Sequence, residues 1–415
     1  MIIPLFELFV SQCCLCIVKH SFYEQKIIIK QQTIISIDVD SQDIAMIPSD
    51  EKTLLQRVTD GKRDIDWANM NIQFCTAADA SFSNGNFDNM AFKVHRVRLE
   101  VLGAFREKFS YHFRQSFNKY TNPNIPLDNL AGSVELAMVG WQLNDRWHLT
   151  AGKQPVQFSG YECWVNAIKV RHYSDFNNTI PAYQVGLNMA YNINDNQMLN
   201  FQVTNNRNST IDDQFMYPLP DGVEDSKVPL LGTANWDGYF VDRAMQLRYS
   251  LSYGQLAKGK NIFYFTCGNV WDKKPFLGYI DFMYSREELD TKGLITSSFD
   301  TETGTPTTVS NVEYFTTIAN LDYRISPHLN IYAKGAYEIG NIYKSSDGLE
   351  KGNYRRTWNV QLCAEYYPME DSELIVYLHL LHKNVHLTEK ATAFGAGSHN
   401  LQRVSLGLVY TLPVF

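Results

Sequence analysis

Met245-Gln246-Leu247-Arg248-Tyr249-Ser250-Leu251-Ser252-Tyr253 is the stretch that decides the fold. Its odd-numbered residues are apolar or aromatic, and its even-numbered residues are polar or charged. Successive side chains of a strand point to opposite faces, so this alternation predicts a strand with one dry face and one wet face. The same spacing starts near residue 69 and continues to the C-terminus.

The length of the alternating runs separates two classes of β protein. The runs cover about 9–13 residues, close to the roughly 9–11 that a tilted strand needs to cross a bilayer. Strands of globular proteins usually have about 5–6 residues. The sequence therefore predicts a transmembrane antiparallel β-barrel rather than a soluble sandwich. Clear examples lie at 181–193, 329–339, 355–367 and 402–412.

The connections between the runs alternate in length. Short polar turns occur at 105–108, 143–147, 193–197, 325–329 and 367–373, and long irregular segments at 119–130, 153–181, 205–242, 341–355 and 385–401. Bacterial barrels have short periplasmic turns and longer outer loops. A sandwich gives no reason for this pattern.

The count of strands is about 16, which is even and leaves both chain ends on one side, as a single-chain barrel requires. A barrel of this size encloses water. The predicted strands lie at 69–79, 91–104, 108–118, 131–142, 147–153, 181–193, 197–205, 243–253, 261–270, 277–285, 293–299, 312–324, 329–339, 355–367, 373–383 and 402–412. The strand at 293–299 is included because the alternation of directions needs one there.

The composition of the chain excludes several classes of protein. The chain has 415 residues with 45% hydrophobic and 20% charged side chains, which excludes wholesale disorder. Its net charge of −7 argues against nucleic-acid binding, which needs a basic face. After residue 18 there is no apolar run long enough for a membrane-spanning helix.

The N-terminal part of the chain stands apart from the barrel. Residues 1–46 begin with an apolar stretch that lacks a basic start, so they are either a divergent export signal or a wrongly assigned start. Residues 47–67 predict a short periplasmic helix or linker, and residues 68–415 the barrel domain.

No enzyme or cofactor motif occurs in the sequence. Three of the seven cysteines crowd the apolar N-terminal stretch at 13, 14 and 16, and the other four are isolated, so neither a zinc site nor a redox motif is predicted, and no cofactor or metal is expected. His379 and His382 fall on opposite faces of one strand, which argues against a metal cluster with His386. The sequence also lacks the hydrolase, zinc-protease and nucleotide-binding signatures.

Three stretches resemble the phosphate-selective porin O and P family in the form found in Bacteroides-type outer membranes. The first, Phe92-Lys93-Val94-His95-Arg96-Val97-Arg98-Leu99-Glu100-Val101-Leu102-Gly103, is similar to the second strand of that family. The second, 149–162, resembles the segment where a strand leaves the wall and enters the loop that folds into the pore. The third, 184–205, resembles the hairpin that follows.

The resemblance implies a channel in the bacterial outer membrane for small hydrophilic solutes, including anions such as phosphate. It also implies a homotrimer whose third outer loop narrows the pore. Phe415 resembles the terminal aromatic residue that the barrel assembly machinery reads on its clients, although its register differs from that of the last strand. The expected partners are therefore the lipid bilayer, the solute, the assembly machinery and two further copies of the chain, but no nucleic acid.

The expected lumen carries charges of both signs. The predicted basic residues of the pore are Arg96, Arg98, Arg114, Lys153, Lys169 and Arg171, and the predicted acidic ones are Glu100, Glu135 and Glu162. The first three arginines either form a track for anions or pair with Glu100 and Glu135. A mixed lumen predicts weak selectivity, because the sign of charge rings at a constriction determines which ions pass.

Two other functions remain open from the sequence alone. A closed barrel could serve as an adhesin or structural anchor through its loops. A barrel could also act as a lipid hydrolase through a Ser–His pair that short motifs do not reveal. The sequence favours a passive channel without covalent chemistry.

Overall fold

The structure is a computed structural model that describes residues 68–415, except for 107, 119–126, 166, 168, 300–305 and 370–371. The predicted N-terminal segments 1–46 and 47–67 lie outside the described residues. In the described part, sixteen antiparallel strands form a closed barrel. The strands are β1 (Ala68–Ser83), β2 (Asn86–Phe105), β3 (Phe109–Ser116), β4 (Val134–Gln142), β5 (Trp147–Pro155), β6 (Tyr183–Asn194), β7 (Gln197–Asn205), β8 (Leu230–Phe240), β9 (Met245–Ala257), β10 (Lys260–Lys273), β11 (Phe276–Leu289), β12 (Ser310–Ser326), β13 (Leu329–Ile342), β14 (Gly352–Tyr366), β15 (Leu374–Leu387) and β16 (His399–Pro413).

Four one-turn helices lie in the loops of the described part. They are α1 (Tyr161–Trp164), α2 (Asp175–Thr179), α3 (Ile211–Gln214) and α4 (Glu389–Thr392), and a 3₁₀ turn covers Thr296–Phe299. No described helix is long and apolar enough to cross a membrane.

Each strand pairs with its neighbours in the chain, and β1 pairs with β16 to close the wall. The chain terminus strengthens this seam, because the N–H of Met70 donates to the carbonyl of Phe415 at 2.7 Å. The long loops lie at the other end of the barrel. We call the connections at that end L1 (84–85), L2 (117–133), L3 (156–182), L4 (206–229), L5 (258–259), L6 (290–309), L7 (343–351) and L8 (388–398).

The wall is polar inside and apolar outside, which inverts the pattern of a soluble protein. On β14, Thr357 and Gln361 face the lumen and are inaccessible, whereas Trp358, Val360 and Leu362 are at least 40% exposed on the outer face. An outer face of this kind is stable only against lipid. The predicted all-β transmembrane barrel is thus confirmed.

Two strand predictions are wrong. One strand was missed and one was predicted where none exists, so the total of sixteen is unchanged. The sequence predicted no strand at β8, whose outward positions include Gly232, Ala234 and Gly238 and so give weak hydrophobic alternation. Residues 293–299 are not a strand: Ile295 is fully buried in an apolar cluster of the outer loops and upper lumen wall. Because the errors flank β9–β11, these three strands run opposite to the predicted direction.

The pairing of β1 with β2 contains an irregularity. Cys75 of β1 pairs with Arg96, whereas the next residue, Thr76, pairs with Val94, so His95 is the extra residue of a bulge. The bulge changes which side of β2 faces inward. Arg98 and Glu100, beyond it, are buried toward the lumen, and Phe92, before it, is 86% exposed.

Candidate functional site

L3 leaves the wall after β5 and folds against the inner face of β11. The Asp281 carboxylate accepts a 2.7 Å hydrogen bond from the N–H of Glu162 at the start of α1. Gly160 makes this approach possible, since a Cβ at that position would lie 2.7 Å from the Asp281 carboxylate. The absence of a side chain at 160 thus sets how deeply L3 enters the barrel.

Glu162, in the first half of L3, contacts both β13 and the second half of the same loop. Its fully buried carboxylate lies 2.6 Å from Nζ of Lys334 and accepts bonds from the Ser174 hydroxyl and the Asn177 amide, both at 2.7 Å. Burial acts to raise the pKa of this carboxyl, but Lys334 and the hydrogen bonds outweigh burial and hold the pKa below its usual value. Glu162 therefore stays ionised as the centre of the loop.

The start of α2 joins L3 to β13 a second time and to two further strands, β14 and β15. Ser174 caps the helix through its side chain. The N–H groups of Asp175 and Phe176 each donate to the Glu338 carboxylate of β13 at 2.9 Å. Asp175 itself forms ion pairs with Arg355 of β14, at 2.6 Å, and with Lys383 of β15. Burial acts to raise the pKa of Asp175, but these two cations outweigh it and lower the pKa.

The segment before α2 brings a guanidinium group to the inner wall. Arg171 pairs with Glu365 of β14 at 2.9 Å, and its guanidinium carbon lies 4.0 Å from the ring centre of Tyr377. Its carbonyl accepts a bond from Arg403 of β16 at 3.1 Å. Burial and the nearby Arg403, Lys383 and Lys334 lower the pKa of His172 to about 4, so this imidazole is neutral near pH 7.

A second group of charges lies on the wall of β2–β4. Glu135 accepts from both Arg98, at 2.8 Å, and Arg114, at 3.1 Å. Glu100 lies 2.7 Å from the His112 imidazole and 3.6 Å from Arg114. These side chains form one buried network of compensating charges.

Between L3 and the strands β1, β2, β15 and β16 is a cavity of about 200 Å³, which we call the basic cavity. Three guanidinium side chains reach it, from Arg96, Arg171 and Arg403, and none of its described lining residues is Asp or Glu. Nε of Arg403 has no hydrogen-bond partner among the described residues. The full lining is Cys75, His95, Arg96, Ala167, Val170, Arg171, His172, Tyr173, Asn178, Tyr377, His379, Arg403 and Ser405.

The structure separates the predicted site residues into groups. Arg96 and Arg171 meet at the basic cavity, and Arg98, Arg114, Glu100 and Glu135 form the wall network. Glu162 lies within L3. Lys153 lies on β5 and not in L3, and its Nζ is 2.6 Å from the carboxylate of Asp128 in L2. Lys169 lies in L3 and is exposed.

Three contributors were missed by sequence reasoning. His112, Arg355 and Lys383 all occupy inward positions of their strands. Strand parity could have placed them inside the barrel, but their partners depend on the path of L3. Two of the three histidines considered as a metal site have other surroundings: His379 is buried at the basic cavity, and the ring of His382 lies 5.0 Å from that of Trp358.

Comparisons with known proteins agree on one class. The model of the family described as phosphate-selective porin O and P matches residues 68–412. A search of curated proteins found no match.

Several solved structures have a similar fold. The outer membrane channel DcaP of Acinetobacter baumannii is 10% identical with a TM-score of 0.56, covering 83% of this chain and 96% of that one. An anion-selective porin from Comamonas acidovorans is 9% identical with a TM-score of 0.54, covering 83% and 99%. OmpF of Salmonella typhi, solved with daunomycin, is 9% identical with a TM-score of 0.51, covering 83% and 97%. At these identities, the likeness is one of fold.

Proposed function

The chain belongs to the phosphate-selective porin O and P family, and we propose that its basic cavity gives the pore a preference for anions over cations. The protein is a porin of the bacterial outer membrane, in which a barrel of sixteen strands forms a channel for small hydrophilic solutes. Transport of this kind is passive diffusion and needs no covalent chemistry.

The observation that carries the proposal is the absence of carboxylates from the described lining of the basic cavity. Among the described residues, Arg96 and Arg403 form no ion pair, so their charges are not compensated as those of Arg98 and Arg114 are. A partly desolvated guanidinium group gains from an anion that accepts its N–H bonds, whereas a cation is repelled. The sign of the charge at a constriction decides the selectivity.

The rest of the lumen limits how strong this preference becomes. Outside the basic cavity, many described basic groups of the inner wall pair with a nearby carboxylate, as do Arg98 with Glu135 at 2.8 Å and Arg248 with Asp237 at 2.9 Å. Paired charges leave little net field for a passing ion. We therefore propose a general anion preference rather than strict specificity for phosphate.

We further propose that the protein assembles as a homotrimer. β3, with 8 residues, and β4 and β5, with 9 each, make a low sector in the wall, whereas β10–β15 all have at least 14. Strands of 8 or 9 residues are at or just below the roughly 9–11 that cross a bilayer, so this sector is the part of the wall that gains most from being covered by another subunit. The family resemblance points the same way.

The division of the chain and its assembly signal belong to the same proposal. Residues 68–415 would form the barrel domain, preceded by the segment 1–46 and the linker 47–67. Phe415, which adjoins the β1–β16 seam, would be the residue that the assembly machinery reads. Replacing Phe415 with Ser should then lower the yield of folded protein in outer membranes, while the same change at Phe394 in L8 should not.

Reversal potentials test the anion preference. Purified folded protein is inserted in a planar bilayer under a KCl gradient, and the permeability ratio of chloride to potassium is determined from the reversal potential. The ratio of the wild type is compared with the ratios of the variants Arg96→Gln and Arg403→Gln. The ratio should exceed one in the wild type and fall in both variants. Arg286→Gln is the matched control, because Arg286 is exposed on the outward face, against Tyr343. A wild-type ratio at or below one contradicts the proposal.

A further inference from the structure

A second cavity, of about 240 Å³, lies under L4 and away from the basic cavity; we call it the outer-loop cavity. The two ends of L3, the loops L4 and L6, and the strands β8–β10 enclose it. Its lining is Phe158, Thr179, Ile180, Pro181, Asn206, Arg207, Asn208, Ser209, Asp213, Gln214, Leu231, Leu256, Ile262, Tyr264 and Thr291. It shares no residue with the basic cavity.

One part of the lining of this cavity is apolar and closely packed. Phe158 and Tyr264 stack with ring centres 4.4 Å apart, and Leu231, Leu256 and Ile262 continue the surface. Each of these five residues is at most 4% exposed. Such a surface offers water no hydrogen bonds, so a ligand that covers it gains hydrophobic energy.

Another part of the lining presents hydrogen-bond acceptors. Oδ1 of Asn208 and Oε1 of Gln214 are buried without a partner among the described residues. Nδ2 of Asn208 donates a 2.7 Å hydrogen bond to the carbonyl of Tyr183, and this bond sets the orientation of the amide and therefore of Oδ1. Buried acceptors without donors are unfavourable, so this edge suits a ligand that brings donors.

Two hydroxyl groups extend the acceptor edge. Thr179 donates its hydroxyl hydrogen to the carbonyl of Asp175 or Phe176, at 2.9 and 3.0 Å. Thr291 donates to Glu287 at 2.5 Å. Each hydroxyl oxygen keeps lone pairs but has no hydrogen left to offer, which again favours a donor on the ligand.

Charges near the cavity are already compensated. Arg207 holds Asp225 with two bonds, at 2.7 and 2.8 Å, and Lys292 pairs with Glu287. Asp213 accepts from the hydroxyls of Ser209 and Thr210, both at 2.8 Å. Arg207 and Asp213, the two charged residues of the described lining, have opposite signs, so the lining carries no net charge and an uncharged ligand fits it better.

We propose that the outer-loop cavity binds a neutral, hydroxyl-rich ligand of the size of one sugar ring. The C–H face of such a ring covers the apolar side, and its hydroxyls donate to Asn208 and Gln214. The volume is below that of cavities that hold drug-sized ligands, which limits the occupant to a small molecule. The site is independent of the anion preference proposed above.

Saturation-transfer NMR and calorimetry on the folded full chain in detergent test this site. The probes are D-glucose, D-galactose and D-mannose, with cyclohexanol as a ring of similar size that has one hydroxyl. At least one sugar should bind saturably and more tightly than cyclohexanol. Gln214→Leu and Asn208→Ala should each weaken that binding by about five- to tenfold, the effect of losing one hydrogen bond.

Controls separate the site from the fold. Gln402→Leu and Asn384→Ala change the same residue types on β16 and β15, away from the cavity, and should leave sugar binding unchanged. The chloride-to-potassium ratio of the Gln214 variant should equal that of the wild type, which shows that the pore is intact. Lack of binding by all three sugars, tighter binding of cyclohexanol, or unchanged affinity in both cavity variants overturns the proposal.

Discussion

Lys334 of β13 and Glu162 of L3 form a 2.6 Å ion pair although 172 residues separate them in the sequence. Both side chains are almost inaccessible, with 4% and 0% exposure. The pair therefore fixes the loop inside the barrel and determines where Arg171 and His172 lie.

Lys334→Met should release L3. Removing one partner of a buried ion pair costs about 3–5 kcal/mol, because the remaining charge is left without compensation. We expect a lower free energy of unfolding in urea and noisier single-channel currents. Lys258→Met is the control, since Lys258 and Glu224 are 70% and 66% exposed and such pairs contribute at most about 1 kcal/mol. Equal effects of the two substitutions would contradict this role of Lys334.

Gly160→Ala should displace the start of L3. The new Cβ would lie 2.7 Å from the Asp281 carboxylate, and overpacking of this kind costs about 1–3 kcal/mol. A change in single-channel conductance should accompany the loss of stability. Gly397→Ala in L8 is a matched control, because no atom lies within 4 Å of the Cβ it would add. Wild-type conductance and stability in the Gly160 variant would show that L3 does not depend on this contact.

His172 should make stability depend on pH in a defined window. Its pKa of about 4 lies below the ordinary value of 6.5, so the unfolded chain binds the proton first as the pH falls. The neutral imidazole therefore contributes fully to the free energy of unfolding above pH 6.5, and this contribution is lost progressively as the pH falls toward 4. The groups that set this behaviour are Arg403, Lys383 and Lys334, with Asp175 opposing them.

His172→Gln tests this window by urea unfolding. The variant should lose less stability than the wild type between pH 6.5 and 4, by at most about 3 kcal/mol. Below pH 4 the free energy of unfolding should fall by the same amount in the wild type and in the variant. The reason is that the carboxyls of Glu162 and Asp175, whose pKa values are lowered in the folded protein, become protonated. Parallel curves from pH 7 to 4 would argue against a buried neutral imidazole.

Cys75 provides a chemical probe of the basic cavity. Its thiol lines the cavity together with Arg96 and Arg403. A negatively charged methanethiosulfonate reagent should react with it about tenfold faster than a positively charged one of similar size, because the cavity concentrates anions. The reaction should reduce the current, and Cys75→Ser should abolish that reduction. Faster reaction of the positive reagent would contradict the assigned sign of the cavity.

The barrel itself was predictable because lipid and water impose opposite requirements on alternate residues. This pattern is strong where outward residues are large, as at Leu247 and Tyr249. It fails at β8, where Gly232 and Gly238 face outward. It misleads at Leu294 and Ile295, because their apolar side chains pack within the outer loops.

The candidate site was predictable only in part. Strand parity places Arg98 and Glu135 on one face of the wall, and in the structure the two side chains form an ion pair at 2.8 Å. The partner of Arg171 could not be inferred, because Glu365 is 194 residues away and the contact depends on how L3 folds. The uncompensated state of Arg403 likewise follows from the three-dimensional path of the loop and not from residue spacing.

The most direct test of the central claim reverses the charges of the basic cavity. Reversal potentials in a KCl gradient are compared between the wild type and the double variant Arg96→Glu/Arg403→Glu, with Arg286→Glu as control. We predict chloride preference in the wild type and in the control, and potassium preference in the double variant. The same reversal potential in all three proteins would show that ions do not pass the basic cavity, and would contradict the account.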